Sequence, residues 1–218
     1  MIFGPTPLDE ARGAILAHTT RLPNAVLKKG TVLDAGAIAA LRAAGHREVV
    51  AARLEPGDVP EDEAADRLAN AVIGPLLSRT RAATGRVNLL AETAGLLRVN
   101  AACVDRLNAL DESLTVATLP DHSPVAARDM VATIKVIPFA APGNALSVAE
   151  AMLRGSAPIA LHPYRSLKVG LVATELPGMK PGVMDKGIEV TRERIEALAG
   201  ILLPPNARRT RPPPPPRR

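Results

Sequence analysis

Aromatic residues are almost absent from this chain, and their scarcity restricts what its core can be. Only Phe3, Phe139 and Tyr164 are aromatic among 218 residues, and there is no tryptophan. With 47% apolar residues, the chain is long enough for one sizeable domain, or for a domain and part of a second. Its core must therefore be built from Ala, Val, Leu and Ile. Single-stranded nucleic acid would find no aromatic platform on which its bases could stack.

Positive charge is concentrated near the C-terminal end of the sequence. The formal net charge is +5, yet five arginines fall within the last eleven residues, and the segment 1–207 is formally neutral. We therefore expect no specific nucleic-acid partner, although the arginines attract any polyanion weakly. The segment 203–218 holds seven of the 21 prolines and has no periodicity, which predicts disorder with polyproline II character.

The single cysteine and the lack of long apolar runs indicate where the protein works. Cys103 stands between alanine and valine, as a small buried apolar residue would, and cannot form an internal disulfide. No apolar run approaches the roughly 20 residues that span a bilayer, and residues 1–13 lack the pattern of a secretory signal. The expectation is a cytoplasmic protein with no membrane partner.

Helical and strand patterns alternate along the chain. Apolar spacing and capping residues predict helices at 7–18, 34–45, 61–73, 100–110, 144–154 and 189–199. Short apolar runs bounded by turn residues predict strands at 48–54, 86–90, 114–119, 130–139, 158–162 and 168–174. Together these patterns predict a mixed α/β protein.

The sequence offers no familiar catalytic or metal-binding motif. Asp121, His122 and Ser123 hold the residue types of a nucleophilic triad, but adjacent positions point their side chains apart, so a polar turn is expected there. The histidines and Cys103 lack zinc-ligand spacing, and no glycine-rich nucleotide motif occurs. The sequence thus predicts no metal site and leaves the catalytic residues unknown.

The stretch 168–200 is the most informative part of the sequence. It contains a buried-strand pattern KVGLVAT, the loop ELPGMKPGVMDKG and a helical pattern. Ligands bind beyond the C-terminal ends of strands in open α/β sheets, which places a candidate site in this loop. The candidate binding residues are Thr174, Glu175, Gly178, Lys180, Asp185 and Lys186. On the pattern alone, an ordinary connecting loop explains these residues equally well.

Five stretches in a fixed order resemble the MoeA-like molybdopterin-binding family, including the branch in which this region precedes a MocA-like nucleotidyltransferase domain. They are LKKGTVLDAGAIAALRAAGHREVVAARLEPGDV at 27–59, GRVNLLAETAGLLRV at 85–99, LTVATLP at 114–120, MVATIKVIPFAAPG at 130–143 and VGLVATELPGMKPGVMDKGIEVTRERIEALAG at 169–200. The resemblance implies an α+β N-terminal region at 1–164. It further implies the first strand-helix unit of a MoeA/MogA-like three-layer α/β molybdopterin-binding domain at 165–202, followed by the disordered Arg/Pro-rich tail at 203–218.

The same resemblance implies a cytoplasmic role in molybdenum-cofactor biosynthesis, as a molybdotransferase or in association with a cytidylyltransferase. Molybdopterin, a pterin phosphate, is the implied ligand or substrate, and Mg²⁺ and molybdate are further candidates. Thr174 and Glu175 match the family's threonine and acidic residue after the first strand, and Asp185 matches the aspartate that opens the next helix. Gly187 stands where this branch typically has a threonine, which removes one polar contact.

A glycine-rich turn that the family places further along has no counterpart here, since Gly200 is the last glycine. Phosphate binding needs exposed backbone N–H groups of the kind such a turn supplies, so an incomplete site is expected, as in a truncated member. Two function classes stay open: a transferase, and a non-catalytic binding or assembly module that keeps the family's interaction surface. The lone strand-helix unit would expose apolar surface, which predicts packing on the N-terminal region or in a homodimer.

Overall fold

The computed structural model is a mixed α/β fold, which confirms the predicted class, and it describes residues 1–175, 180, 182–204 and 206–209. Within these residues the helices are α1 Ala35–Ala43, α2 Glu61–Val72, α3 Ala101–Asn108, α4 Gly143–Leu153 and α5 Val183–Ala197. The strands up to residue 163 are β1 Ile2–Pro7, β2 Ile15–Leu16, β3 Thr20–Leu22, β4 Ala25–Leu27, β5 Glu48–Arg53, β6 Asp58–Pro60, β7 Leu77–Arg79, β8 Arg86–Ala91, β9 Gly95–Val99, β10 Leu114–Thr118, β11 Pro124–Val125, β12 Met130–Val136, β13 Ala140–Pro142 and β14 Ile159–Pro163. They are followed by β15 Lys168–Val169, β16 Val172–Glu175, β17 Ile201–Leu202 and β18 Asn206–Arg209.

Residues 2–53 form a small N-terminal unit with a hydrophobic cluster of its own. Its sheet has the order β1-β5-β2, and both neighbours run antiparallel to β5. The helix α1 closes the cluster with the buried residues Ile38 and Leu41. The side chain of Asp34 accepts a hydrogen bond of 2.7 Å from the backbone N–H of Ala37, so the predicted helix start and its cap are confirmed.

The helix predicted at 7–18 is wrong, because this segment forms a turn followed by the short strand β2. Gly13 adopts a positive φ of 81°, which a right-handed helix does not allow. The backbone N–H of Gly13 donates to the carbonyl of Leu33, and the N–H of Leu33 donates to the carbonyl of Ala14, each at 2.8 Å. The acidic residues of the predicted first helical turn instead form ion pairs, Asp9 with Arg42 and Glu10 with Arg53.

Residues 58–163 form a larger central unit around the main hydrophobic core. One antiparallel sheet has the order β10-β12-β8-β7 and another the order β11-β9-β14. The helix α2 packs on β8 and β12 through its buried face, and Leu68 at the middle of that face is fully buried. Arg67 of α2 donates two hydrogen bonds, of 2.9 and 2.8 Å, to the carboxylate of Glu150 on α4. Cys103 is buried, as predicted.

Residues 167–209 form a C-terminal unit in which α5 connects parallel strands. The strand β15 pairs with β17, and β16 pairs with β18. The strand predicted at 168–174 is therefore interrupted at Gly170 and Leu171, and its predicted burial is wrong, since Val172 is 63% exposed. The helix begins at Val183, six residues before the predicted start, and none of its residues is buried. No helix in the described part of the chain combines the length and the apolar character needed to cross a membrane.

The tail predicted to be disordered from 203 to 218 is described only in part. Asn206–Arg209 form β18, which differs from that prediction, while residues 205 and 210–218 lie outside the described residues. These four residues contain no proline, so every backbone N–H is available for pairing along the edge of β16. The prediction of disorder followed from the many prolines of the segment and overlooked this short stretch without proline.

Candidate functional site

The loop predicted from the sequence lies between the end of β16 and the start of α5. Thr174 and Glu175 are the last residues of β16, and Thr174 is exposed. Lys180, Asp185 and Lys186 are also exposed, and the described ion pairs include none of them. Gly178 lies outside the described residues.

The first turn of α5 has the features of an anion site that is open to solvent. Gly182, with a φ of 82°, occupies the N-cap position, and a glycine has no side chain that could accept from the first helical N–H groups. Unpaired N–H groups at a helix start attract negative charge. Asp185, in that first turn, adds an acceptor, and Lys180 and Lys186 lie on either side in the sequence. The arrangement can attract a phosphate and orient a hydroxyl or amine, but its groups are all in contact with water.

The turn at Asp121, His122 and Ser123 is structural, as predicted. The carboxylate of Asp121 accepts hydrogen bonds from the backbone N–H of Val99 at 2.8 Å and from the Arg98 guanidinium at 3.2 Å. These bonds hold the pKa of Asp121 below its usual range, the Val99 bond most strongly. The Ser123 hydroxyl donates to the carbonyl of Pro120 at 2.7 Å and not to His122, so it is not activated as a nucleophile.

A second candidate site, not foreseen from the sequence, lies where the N-terminal and central units meet. We call it the Phe cavity; its volume is about 350 Å³, and its walls include Phe3, Lys29, Glu61, Ile137, Pro138 and Phe139. The rings of Phe3 and Phe139 stack with centroids 6.3 Å apart and planes inclined by 20°. The ammonium of Lys29 lies 5.4 Å from the centre of the Phe139 ring, in the range of a cation–π contact.

The carboxylate of Glu61 is the acidic group of the Phe cavity. Its backbone N–H donates to the carbonyl of Phe139 at 3.0 Å, which fixes the start of α2 against that ring. Among the described hydrogen bonds and ion pairs, none uses this carboxylate. Burial raises the pKa of Glu61, and the charge of Asp62 adds to the effect, while Lys29 and Lys135 oppose it.

A second cavity of about 570 Å³ adjoins this site and shares Met1, Ile137 and Pro138 with it. Its walls carry the carboxyl groups of Asp58, Asp111 and Glu112. The amino group of Met1 lies 2.8 Å from Asp58, and this contact, together with the Glu55 backbone N–H, lowers the pKa of Asp58. The Phe cavity is thus apolar and aromatic, and its neighbour is rich in hydrogen-bond acceptors.

Only a weak sequence signal, the scarcity of aromatic residues, relates to the Phe cavity. The chain has two phenylalanines, at positions 3 and 139, and both line this cavity. Phe3 is 56% exposed, although a large apolar side chain in an aromatic-poor protein would be expected in the core. The scarcity of aromatic residues does not indicate that two phenylalanines 136 positions apart in the sequence lie side by side.

Among the described residues, no cluster of three or more His, Cys, Asp or Glu side chains is arranged to hold a metal ion.

Comparison with known protein families finds one match, to a domain of unknown function (DUF8806), over residues 5–53. This match coincides with the N-terminal unit and assigns it no activity. No curated protein and no solved structure matches the chain.

Proposed function

We propose that this chain binds molybdopterin in molybdenum-cofactor biosynthesis, as a molybdotransferase or a cytidylyltransferase-associated protein whose phosphate site is incomplete. The proposal rests on the ordered resemblance to the MoeA-like family. The observation that best supports it is the position of the loop Thr174–Lys186, which joins the C-terminal end of β16 to the uncapped N-terminus of α5. In parallel α/β units, ligands bind at this end of the strands.

The charged groups of the loop and the start of α5 have separate roles in this proposal. The first-turn N–H groups of α5 and the ammonium groups of Lys180 and Lys186 attract the pterin phosphate, and Asp185 orients a ligand hydroxyl or amine. Charge pairs exposed to water contribute only about 0.2–1 kcal/mol each, so a single loop binds weakly. We expect a Kd on the order of 0.1–1 mM for the isolated chain.

A non-catalytic binding or assembly module is the second candidate. It is favoured by the exposure of the C-terminal unit, since no residue of α5 is buried and Val172, Val183 and Leu198 are each more than half exposed. A helix and strand with uncovered apolar positions supply the kind of surface that a partner protein covers. An activity assay distinguishes the two candidates. If the chain is a transferase, it catalyses the insertion of molybdate into molybdopterin, and if it is an assembly module, it does not.

Calorimetric titration of the full chain with molybdopterin tests the loop. Asp185→Ala and Lys180→Ala should each leave the circular dichroism spectrum unchanged and remove measurable binding. Glu189→Ala and Lys168→Ala are matched controls, because they remove the same charges from the same unit outside the loop. Tight binding that survives both loop substitutions would show that the site lies elsewhere.

A further inference from the structure

The Phe cavity brings together an aromatic pair, an ammonium group and a carboxylate. The stacked Phe3 and Phe139 are contributed by different units, and Phe3 remains more than half exposed. The ammonium of Lys29 and the carboxylate of Glu61 line the same space, and neither belongs to a described ion pair. Cavities of about 300–1,000 Å³ with apolar walls and a few polar groups are typical of small-molecule sites.

Glu61 is positioned to accept hydrogen bonds from a ligand. Its backbone N–H donates to the Phe139 carbonyl, which anchors the residue at the wall of the cavity that Phe139 also lines. Gly85 lies beside Glu61: a Cβ added there would come within 3.1 Å of the Glu61 Oε2 atom and closer still to the Val136 carbonyl oxygen. A carboxylate with two free oxygens pairs best with two adjacent N–H donors.

The remaining walls restrict what can carry those donors. A flat ring can pack against the exposed Phe3, because aromatic faces prefer offset stacking, while the Lys29 ammonium lies over the Phe139 ring. Lys29 favours a carbonyl acceptor on the ring edge beside the donors, and its charge disfavours a purely cationic ligand. The carboxylates of the adjoining cavity, at Asp111 and Glu112, accept hydroxyl donors and repel a phosphate.

We propose that the Phe cavity binds a small planar heterocycle with a ring N–H beside an exocyclic amino group, and with a neighbouring carbonyl. The two donors pair with Glu61, the carbonyl faces Lys29, the ring stacks on Phe3, and a hydroxylated substituent enters the adjoining cavity. Guanine nucleosides and pterins share this edge. The inference involves none of the loop residues 174–186, so it stands or fails separately from the proposed molybdopterin site.

Binding by the full chain can be measured with guanosine and with 6-hydroxymethylpterin, which represent the two sources of this edge. Adenosine is the control, because it lacks the paired donors and leaves a Glu61 oxygen unsatisfied. We expect saturable binding of at least one of the two ligands in the sub-millimolar range, and the tighter of them identifies the source. Adenosine should bind about tenfold or more weakly. Equal binding of adenosine, or no binding of either ligand, overturns the proposal.

Substitutions locate the site. Glu61→Gln should weaken the preferred ligand at least about tenfold, since the amide accepts only one of the two hydrogen bonds. Glu63→Gln, on the same helical turn but exposed, should change nothing. Lys29→Met, which keeps the aliphatic stem, should weaken binding several-fold, whereas the neighbouring Lys28→Met should not. Unchanged affinity in both Glu61→Gln and Lys29→Met overturns the assignment. If Glu61→Gln does not fold, the affinity of Lys29→Met alone decides whether the assignment holds.

Discussion

The central unit and the C-terminal unit have similar sequence patterns and very different packing. In the central unit, α2 buries five residues against a four-stranded sheet and is tied to α4 by a two-bond ion pair. In the C-terminal unit, α5 is longer, yet none of its residues is buried. The described hydrogen bonds and ion pairs include none between residues 167–209 and the rest of the chain.

The difference shows what hydrophobic periodicity does and does not specify. A pattern of apolar residues predicts the element and the face that can be buried, but burial needs a second layer to cover that face. The segment KVGLVAT resembles a core strand, yet Val172 is exposed because the described structure places no layer over it. Apolar faces without cover in the C-terminal unit are consistent with the proposed assembly role.

The largest contrast is expected in hydrogen exchange. Amides of β8, β12 and α2 should exchange only through global unfolding, whereas amides of α5 should exchange through local opening at almost no cost. For a domain of ordinary stability, the difference in opening free energy is on the order of 5 kcal/mol or more. The exchange rates of α2 and α5 are compared within one experiment. Equal protection of α2 and α5 at all concentrations would contradict the comparison, and protection of α5 that grows with concentration would support the predicted homodimer.

Leucine truncation should separate the units next. Leu68→Ala removes a fully buried side chain from α2 and should destabilise the protein by about 2–5 kcal/mol through lost contacts and an unfilled cavity. Leu198→Ala, at the end of α5 and 53% exposed, should change the stability by about 0.5 kcal/mol or less. Urea unfolding followed by circular dichroism measures both. A large loss for Leu198→Ala would show that α5 is covered in solution.

A smaller contrast is expected between two ion pairs. The mutual hydrogen bonds of Arg67 and Glu150 lower the pKa of Glu150 and raise that of Arg67. Both side chains are about one-third exposed, so a double-mutant cycle should give a coupling free energy of only about 0.5–1 kcal/mol. Arg192 and Glu189 on α5, with 3.5 Å between Nε and Oε2, should give about 0.3 kcal/mol or less.

The Arg67–Glu150 pair also predicts a pH dependence. Because the folded pKa of Glu150 lies below its unfolded value, the stabilisation is complete above that unfolded value of about 4.3. It is lost as the pH falls through the lower folded pKa. Thermal unfolding at pH 7 and at pH 3 checks this: the coupling between the two residues should shrink at pH 3, and a coupling that grows there would refute it.

Local signals allowed much of the fold up to residue 163 to be predicted. Asp34 and Asn100 cap α1 and α3 through their own side chains, and Pro60 with three following acidic residues marks the start of α2. These features depend on neighbouring residues, so the sequence displays them directly. The helix predicted at 7–18 failed because Gly13 and long-range pairing with Leu33 overrode the local spacing.

The two candidate sites also differ in how far the local sequence indicates them. The loop Thr174–Lys186 is continuous in sequence, so a pattern could indicate it. The Phe cavity is formed by residues from positions 3, 29, 61 and 137–139, and only the folded arrangement of two units brings them together. No periodicity or spacing rule links these positions, which is why the sequence could not predict the cavity.

A final expected effect concerns the stability contributed by Glu61. Its folded pKa is raised above the unfolded value, chiefly by burial, so the folded state binds the proton more tightly and wild-type stability falls as the pH rises from about 4.3 through the folded pKa. Glu61→Gln does not titrate and should escape that loss, becoming more stable than wild type at pH 7 by a few tenths of a kcal/mol, up to about 1 kcal/mol. The N-terminus of α2 favours the ionised carboxylate and keeps the gain small. Glu63→Gln, which is exposed, should lose that helix-end attraction without relieving burial and be slightly less stable than wild type. Urea midpoints at pH 4 and pH 7 measure the difference; a Glu61→Gln variant that is less stable than wild type at pH 7 would mean that the carboxylate stabilises the fold and is not kept there for a ligand.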